Sequence, residues 1–302
     1  MKNKVSSLRK ARQRSINIAA AVFLAPVLII LAVFIAYPIV DSFILSTVQW
    51  NGLSPVREPV GLANWITLVQ DRFFWSAFSN NIIIMFIALI TQGVLAMALA
   101  TFLDTMGKKA LLFKLVWFLP YLISPVAIGF LFKFALDANF GMFASIAGLF
   151  GSNVSVDLLG NPGRALYTVM GVVSWEYTPF YMILYLAAYG TIPVELYEAA
   201  AIDGASRGQY FWKISLPLLR PTIISGATVC IIGSLKYFDL VYVMTGGGPG
   251  HATELMATYM YTTSFVKRSF GYGAAVACGM FILITVVALI TVYTLNRKAE
   301  EL

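Results

Sequence analysis

The stretch INIAAAVFLAPVLIILAVFIAYPIV, residues 16–40, runs 25 positions without a charge. At 1.5 Å per residue, a helix of that length spans the roughly 30 Å hydrocarbon layer of a bilayer. It exceeds the roughly 7–15-residue apolar core of a secretory signal peptide, and no small-x-small cleavage site interrupts it. Working outward, the same signal recurs at about 82–103, 115–136, 165–189, 222–245 and 273–295. Nothing alternates in the way that the ten-or-so-residue strands of a membrane β-barrel would. The reading is an all-α integral membrane protein with six transmembrane helices. Composition agrees: 59% of the 302 residues are hydrophobic and 12% charged, whereas a soluble domain carries roughly 25% charged residues.

The balance of 21 basic to 14 acidic residues, +7 overall, does not indicate a nucleic-acid partner. Lys2, Lys4, Arg9, Lys10, Arg12 and Arg14 crowd the tail before the first apolar run, as a cytoplasmic flank does. With that tail inside, the cytoplasmic segments hold fourteen Lys and Arg and the outer loops five, so both termini are expected in the cytoplasm. The expected organisation is a basic tail over 1–15, a six-helix domain over 16–295 and a short cytoplasmic tail over 296–302. Cys230 and Cys278 both lie in apolar stretches and imply neither a disulfide framework nor a metal cluster.

The cytoplasmic segment 193–217, between the fourth and fifth spans, is the most informative loop. Pro193 opens a helix, and Glu195 and Glu198 are expected near its positive end. Ala199, Ala200 and Ala201 give helix propensity and a slim surface, and Gly204 and Gly208 supply a bend. A bland reading is an amphipathic helix resting on the membrane face. The spacing is more particular than that. The string EAAAIDGASRGQYFWKISLPLLRP, residues 198–221, resembles the EAA signature of bacterial ABC importer permeases, in their carbohydrate branch with the maltose and multiple-sugar subunits. A second block, Phe238-Asp239 followed by Met244-Thr-Gly-Gly-Gly-Pro-Gly250 and Ala252-Thr253, resembles the block after the fifth helix of that branch.

The resemblance implies the type I ABC importer permease fold in the bacterial cell membrane. It also implies partners: a second homologous permease subunit, two cytoplasmic ATP-binding subunits and an extracytoplasmic solute-binding protein. Glu198, Ala199, Ala200, Asp203 and Gly204 would make the ATPase contact, with Ile214, Leu216 and Pro217 anchoring the return into the fifth helix. Gly246, Gly247, Gly248 and Pro249 would form an outer turn meeting the binding protein. A phosphate-cradling role for that turn is excluded, since no Gly-Lys-Ser/Thr follows it. The chain therefore carries no ATP site, catalytic residue, cofactor or metal of its own; its one histidine, His251, has no Cys or carboxylate at a ligand spacing.

Glu176, Lys236 and Asp239 are ionisable groups within predicted spans, so they face the bundle interior, pair, or line a watery path. Lys236 and Asp239, three apart, are positioned to pair on one helix face. Tyr177, Tyr181, Tyr185 and Tyr189 recur at i+4, and the first and last are about 18 Å apart, too far for one interfacial belt. Glu176, Tyr177, Tyr181 and Asp239 are thus the candidate solute path. Helix breaks are expected at Pro179 and near Pro120 and Pro125. Rival readings are an intramembrane acid–base enzyme using Glu176 or Asp239, an ion-coupled secondary transporter, and a same-family permease for a solute such as glycerol phosphate.

Overall fold

The computed structural model describes residues 2–107, 110–149 and 157–300. Lys108 and Lys109, counted above as cytoplasmic, lie outside them, as do Met1, part of the outer loop 137–164 and the last two residues. The basic tail is continuous with the first span: α1 (Lys2–Leu31) passes through a π-helical stretch (Ala32–Ala36) into α2 (Tyr37–Leu45). Pro38, in the first turn of α2, lacks the N–H that its helix turn needs, and the widened stretch directly before it absorbs the mismatch.

A two-stranded hairpin, β1 (Val48–Gln49) and β2 (Glu58–Pro59), leads to α3 (Ala63–Gln70). The carbonyl of Trp50 accepts from the N–H groups of Phe270 and Gly271. A Cβ on Gly271 would lie 1.9 Å from the Val48 carbonyl oxygen, so this junction admits glycine alone. The second span is longer than expected: α4 (Arg72–Ala88), a π-helical stretch (Leu89–Leu95) and α5 (Ala96–Met106) form one helix.

Among the described residues, four helices are long and apolar enough to cross a membrane, over Ile16–Leu45, Arg72–Met106, Arg207–Ser234 and Phe270–Thr294. α6 (Ala110–Leu122) and α7 (Pro125–Ala135) are apolar enough only when taken together, and they meet at 92°, the geometry of a broken span or a re-entrant loop. The break expected near Pro120 and Pro125 falls here, at Pro125, while α6 runs on through Pro120. Ser124, preceding a proline, is held extended at ψ 133°, and helix geometry restarts at Pro125. Beyond it lies α8 (Met142–Leu149). The remaining predicted span corresponds to α9 (Pro162–Tyr189), whose 28 residues suffice for a crossing but are more polar. Enclosure by neighbouring helices replaces lipid along much of α9, so its sequence does not need to be uniformly apolar. It runs unbroken through Pro179, against the expected interruption, because Thr178 and Pro179 are buried and the helix is clamped along its length.

After α9 follow α10 (Val194–Ile202), α11 (Arg207–Tyr210), a π-helical stretch (Phe211–Ser215) and α12 (Leu216–Ser234). The widened stretch again directly precedes a proline in the first helical turn, Pro217. The predicted span 222–245 is corrected: α12 ends at Ser234, and α13 (Asp239–Thr245) starts anew after four residues. α14 (Met256–Tyr261), another π-helical stretch (Thr262–Val266) and α15 (Phe270–Glu300) complete the chain.

The core falls into three apolar clusters: α4 with α7, α9 and α13; α5 with α9 and α12; α3 and α4 with α12, α14 and α15. Ala96 and Ala100, one turn apart and fully enclosed, are a small-residue seam of the kind that lets membrane helices approach closely. By contrast, the most apolar window of Ile16–Leu45 has no buried residue.

Candidate functional site

Three places carry the residues singled out by the sequence: an elbow between α9 and α12, a cavity at the break before α13, and the loop after α13.

The elbow is α10, its cap and α11. Asp203 caps α10, and Gly204 adopts φ +74°. The Gly204 N–H donates to the Ala201 carbonyl at 3.2 Å and the Ala205 N–H to the Ala200 carbonyl at 2.9 Å. This is the Schellman pattern, which closes a helix on a left-handed glycine. The offset between the alanines and Gly204 is therefore a local helix stop. A Cβ on Gly204 would meet nothing within 4 Å, so backbone conformation, not space, selects glycine there. Ser206 and Gln209 then form a reciprocal capping box that starts α11 at a fixed angle.

Ala200 alone of α10 is buried, while Glu198, Ala199, Asp203 and Gly204 are exposed. Ile202 is 87% exposed, with Val194 and Trp212 also largely uncovered. Of the two glutamates, Glu195 lies in the first turn; Glu198 lies beyond it, which corrects the expectation that both sit at the positive helix end. Ile214 and Leu216 are half-buried and Pro217 exposed at the start of the membrane helix. Under the elbow, a cavity of about 470 Å³ is lined by Thr101, Asp104, Tyr189, Tyr197, Arg207 and Tyr210 among others.

The second place is a cavity of about 240 Å³ bounded by Pro125 of α7, Val173 and Tyr177 of α9, and Lys236 to Val241. Tyr177 and Asp239, two of the four residues assigned to a solute path, both line it. Glu176 does not line it: its side chain is enclosed, with Oε2 lacking a hydrogen-bond partner. Tyr181 is also placed elsewhere, buried with Tyr185 and Cys230 against α5 and α12. Lys236 and Asp239 form no ion pair, because the chain leaves the helix between them and the i,i+3 geometry is lost.

Two buried amides that sequence reasoning passed over hold this region. Asn81 donates to the carbonyls of Ser234 (3.4 Å) and Leu235 (3.3 Å), which the ended helix leaves open, and accepts from the Met256 N–H (2.9 Å). Gln92 donates to the Tyr237 hydroxyl at 3.0 Å and accepts from Cys230 Sγ at 3.3 Å. The signal was available: Asn81 borders an apolar span and Gln92 lies within it, where an unpaired amide is costly.

In the third place, Gly246 ends α13 in the left-handed region, and Gly247, Gly248 and Pro249 turn the chain. Thr253 Oγ1 donates to the Gly248 carbonyl at 2.7 Å and lies 2.7 Å from Thr245 Oγ1. Asn80 donates to the carbonyls of Ala252 and Glu254, tying the turn to α4. His251 Nδ1 is hydrogen-bonded to Glu254, a carboxylate partner that the sequence reading missed, and its ring packs on Phe73. Nearby, Asp71 caps α4 and accepts from the hydroxyls of Tyr259 and Tyr272. Burial opposes ionisation of Asp71, but those hydroxyls and the N–H groups of Phe73 and Phe74 outweigh it and hold the carboxyl below the usual carboxylate value.

The described residues thus form a multi-span helical bundle with an exposed, doubly capped elbow. The chain belongs to the family of binding-protein-dependent transport system inner membrane components, whose model matches residues 3–300. It is 33% identical over 289 residues to a probable ABC transporter permease protein of Pyrococcus horikoshii, covering 92% of this chain and 96% of that one. It is 30% identical over 296 residues to the lactose transport system permease protein LacF of Rhizobium radiobacter, covering 96% and 98%. Its fold is similar to a chain in the crystal structure of a bacterial ABC transporter that imports the acidic polysaccharide alginate. That match has a TM-score of 0.80 at 24% identity and covers 96% of this chain and 99% of the other.

Proposed function

We propose that this chain is a permease subunit of an ATP-driven, binding-protein-dependent sugar importer, forming the solute path with a second permease. The observation that carries the reading is the elbow: an exposed helix stopped by a Schellman motif at the position of the family signature. A lever must be stiff to transmit a rigid-body movement, and two successive caps make it so. Glu198, Ala199, Ala200, Asp203 and Gly204 form its contact with a cytoplasmic ATPase, and Ile214, Leu216 and Pro217 join it to the membrane helix. ATP is hydrolysed on that partner. The turn at Gly246, Gly247, Gly248 and Pro249 meets the binding protein, and Tyr177 with Asp239 lines the path. The bare face of the first span supports a second permease, because that surface needs lipid or a partner against it. Sugar as the solute rests on the lactose permease relative.

Uptake of the solute is expected to persist when an uncoupler collapses ion gradients with ATP held constant, and to stop without the ATPase subunits. The reverse result establishes an ion-coupled transporter. Both termini and the elbow are cytoplasmic in this reading. A cysteine at position 205 (Ala205→Cys) in a background lacking the native cysteines is expected to resist an impermeant thiol reagent in intact cells. Labelling from outside inverts the topology.

A further inference from the structure

Six aromatic rings form an unbroken series from the break before α13 to the outer hairpin. Phe238 lies on the cavity lining. Its ring centroid is 5.2 Å from Tyr242 and 5.3 Å from Tyr261, and those two are 5.0 Å apart. Tyr261 is 5.2 Å from Phe265, Phe265 is 5.4 Å from Phe270, and Phe270 is 5.5 Å from Trp50. The series thus starts inside the bundle and ends at the loop where Trp50 receives the start of α15.

Each pair lies at an ordinary aromatic packing distance, yet the rings are not core residues. None of the six rings is fully buried, and Phe265 is 56% exposed. The hydroxyls of Tyr242 and Tyr261 have no hydrogen-bond partner among the described residues. An interfacial belt would hold aromatic residues at one depth, whereas this series runs from the mid-bundle break to the outer surface.

We propose that these rings are a stacking track that guides a chain of sugar units from the outer mouth to the cavity. The proposal rests on the sugar reading above and adds that the solute is an oligosaccharide longer than two units. An aromatic face is electronegative, and the axial C–H groups of a pyranose carry partial positive charge, so each ring offers a stacking surface. The open hydroxyls of Tyr242 and Tyr261 can exchange hydrogen bonds with sugar hydroxyls. Ring-to-ring steps near 5 Å are comparable with the advance of one pyranose along a linear chain. A solute held by several weak, repeated contacts moves stepwise, each contact released as the next forms. A monosaccharide touches one ring at a time and gains little from the series.

The test is uptake by the complete importer, with its own binding protein and ATPases, of malto-, cello- and xylo-saccharides from one to five units. In Phe265→Ala, the ratio of pentasaccharide to monosaccharide uptake is expected to fall about five-fold relative to the unmodified importer. Phe265→Trp is expected to restore it, and Phe265→Leu, apolar but without a flat face, is not. An unchanged ratio in Phe265→Ala overturns the track. So does an equal loss at every length with the partner permease no longer co-purifying, which makes the rings a subunit contact. Uptake by the unmodified importer confined to one- and two-unit sugars also overturns it. If the unmodified importer takes up none of these series, the sugar assignment itself fails, and that failure is distinct from failure of the track.

Discussion

Gly204→Val abolishes most uptake while leaving the membrane bundle inserted and folded. Gly204 sits at φ +74°, and forcing an L-residue into the left-handed region costs roughly 1–2 kcal/mol; valine, branched at Cβ, is among the worst fits. The Schellman bonds of Gly204 and Ala205 depend on that conformation, so the elbow re-orients instead of holding the strain. A differential of this size corresponds to on the order of ten-fold in ATPase affinity. Because the added Cβ meets nothing in the isolated chain, backbone and contact effects separate in a series. Gly204→Asn, whose side chain tolerates the left-handed region, keeps most of the activity if conformation is what matters. Gly204→Ala falls between the two. Glu198→Lys leaves the helix cap untouched and reverses an exposed charge, so its effect reports the ATPase contact alone. The measurement is co-purification of the ATPase with each variant and uptake in the same cells. Full binding and full uptake in both Gly204→Val and Glu198→Lys reduce the elbow to a helix lying on the membrane surface.

What could be read from the sequence was what is decided locally. The spans announced themselves because hydrocarbon imposes the same demand on each residue it touches. The elbow was legible because an alanine run followed by a left-handed glycine is a short-range device, complete within residues 199–205. The bend at Pro125 was marked by proline chemistry. The unread features are decided by residues far away in sequence. Residues 235–238 look apolar enough to continue α12, and the helix ends there because Asn81, more than 150 positions earlier, takes over the open carbonyls. Pro179 marks a local weakness, yet α9 stays whole because neighbours clamp it. The tyrosine stripe divides for a related reason. Over three turns it drifts around α9, so Tyr177 reaches the cavity while Tyr181 and Tyr185 turn towards α5 and α12. A periodicity reveals a shared face but not which neighbour that face meets.

Asn81→Leu is the sharpest test of the claim that the break is held from α4. Leucine shares the Cγ branching of asparagine but has bulkier methyl groups and no polar atom, so some overpacking accompanies the simultaneous loss of three contacts. The Met256 N–H loses its 2.9 Å acceptor inside a fully enclosed site, and the carbonyls of Ser234 and Leu235 lose longer bonds. An unsatisfied buried group costs about 1–3 kcal/mol. The two carbonyl bonds, at 3.3 and 3.4 Å, contribute at the low end, so the N–H dominates. A net loss of about 2–4 kcal/mol lowers the apparent melting temperature of the purified permease by roughly 5 °C or more. Asn81→Asp retains the acceptor for Met256 but presents a charge to two carbonyls, and it is expected to be as damaging although its shape is unchanged. Uptake should fall further than stability alone explains, because the break carries Lys236, Phe238 and Asp239 on the cavity wall. If Asn81→Leu melts within about 1 °C of the unmodified protein and transports normally, the break is maintained by the packing of α13 against α7, and the amide is incidental.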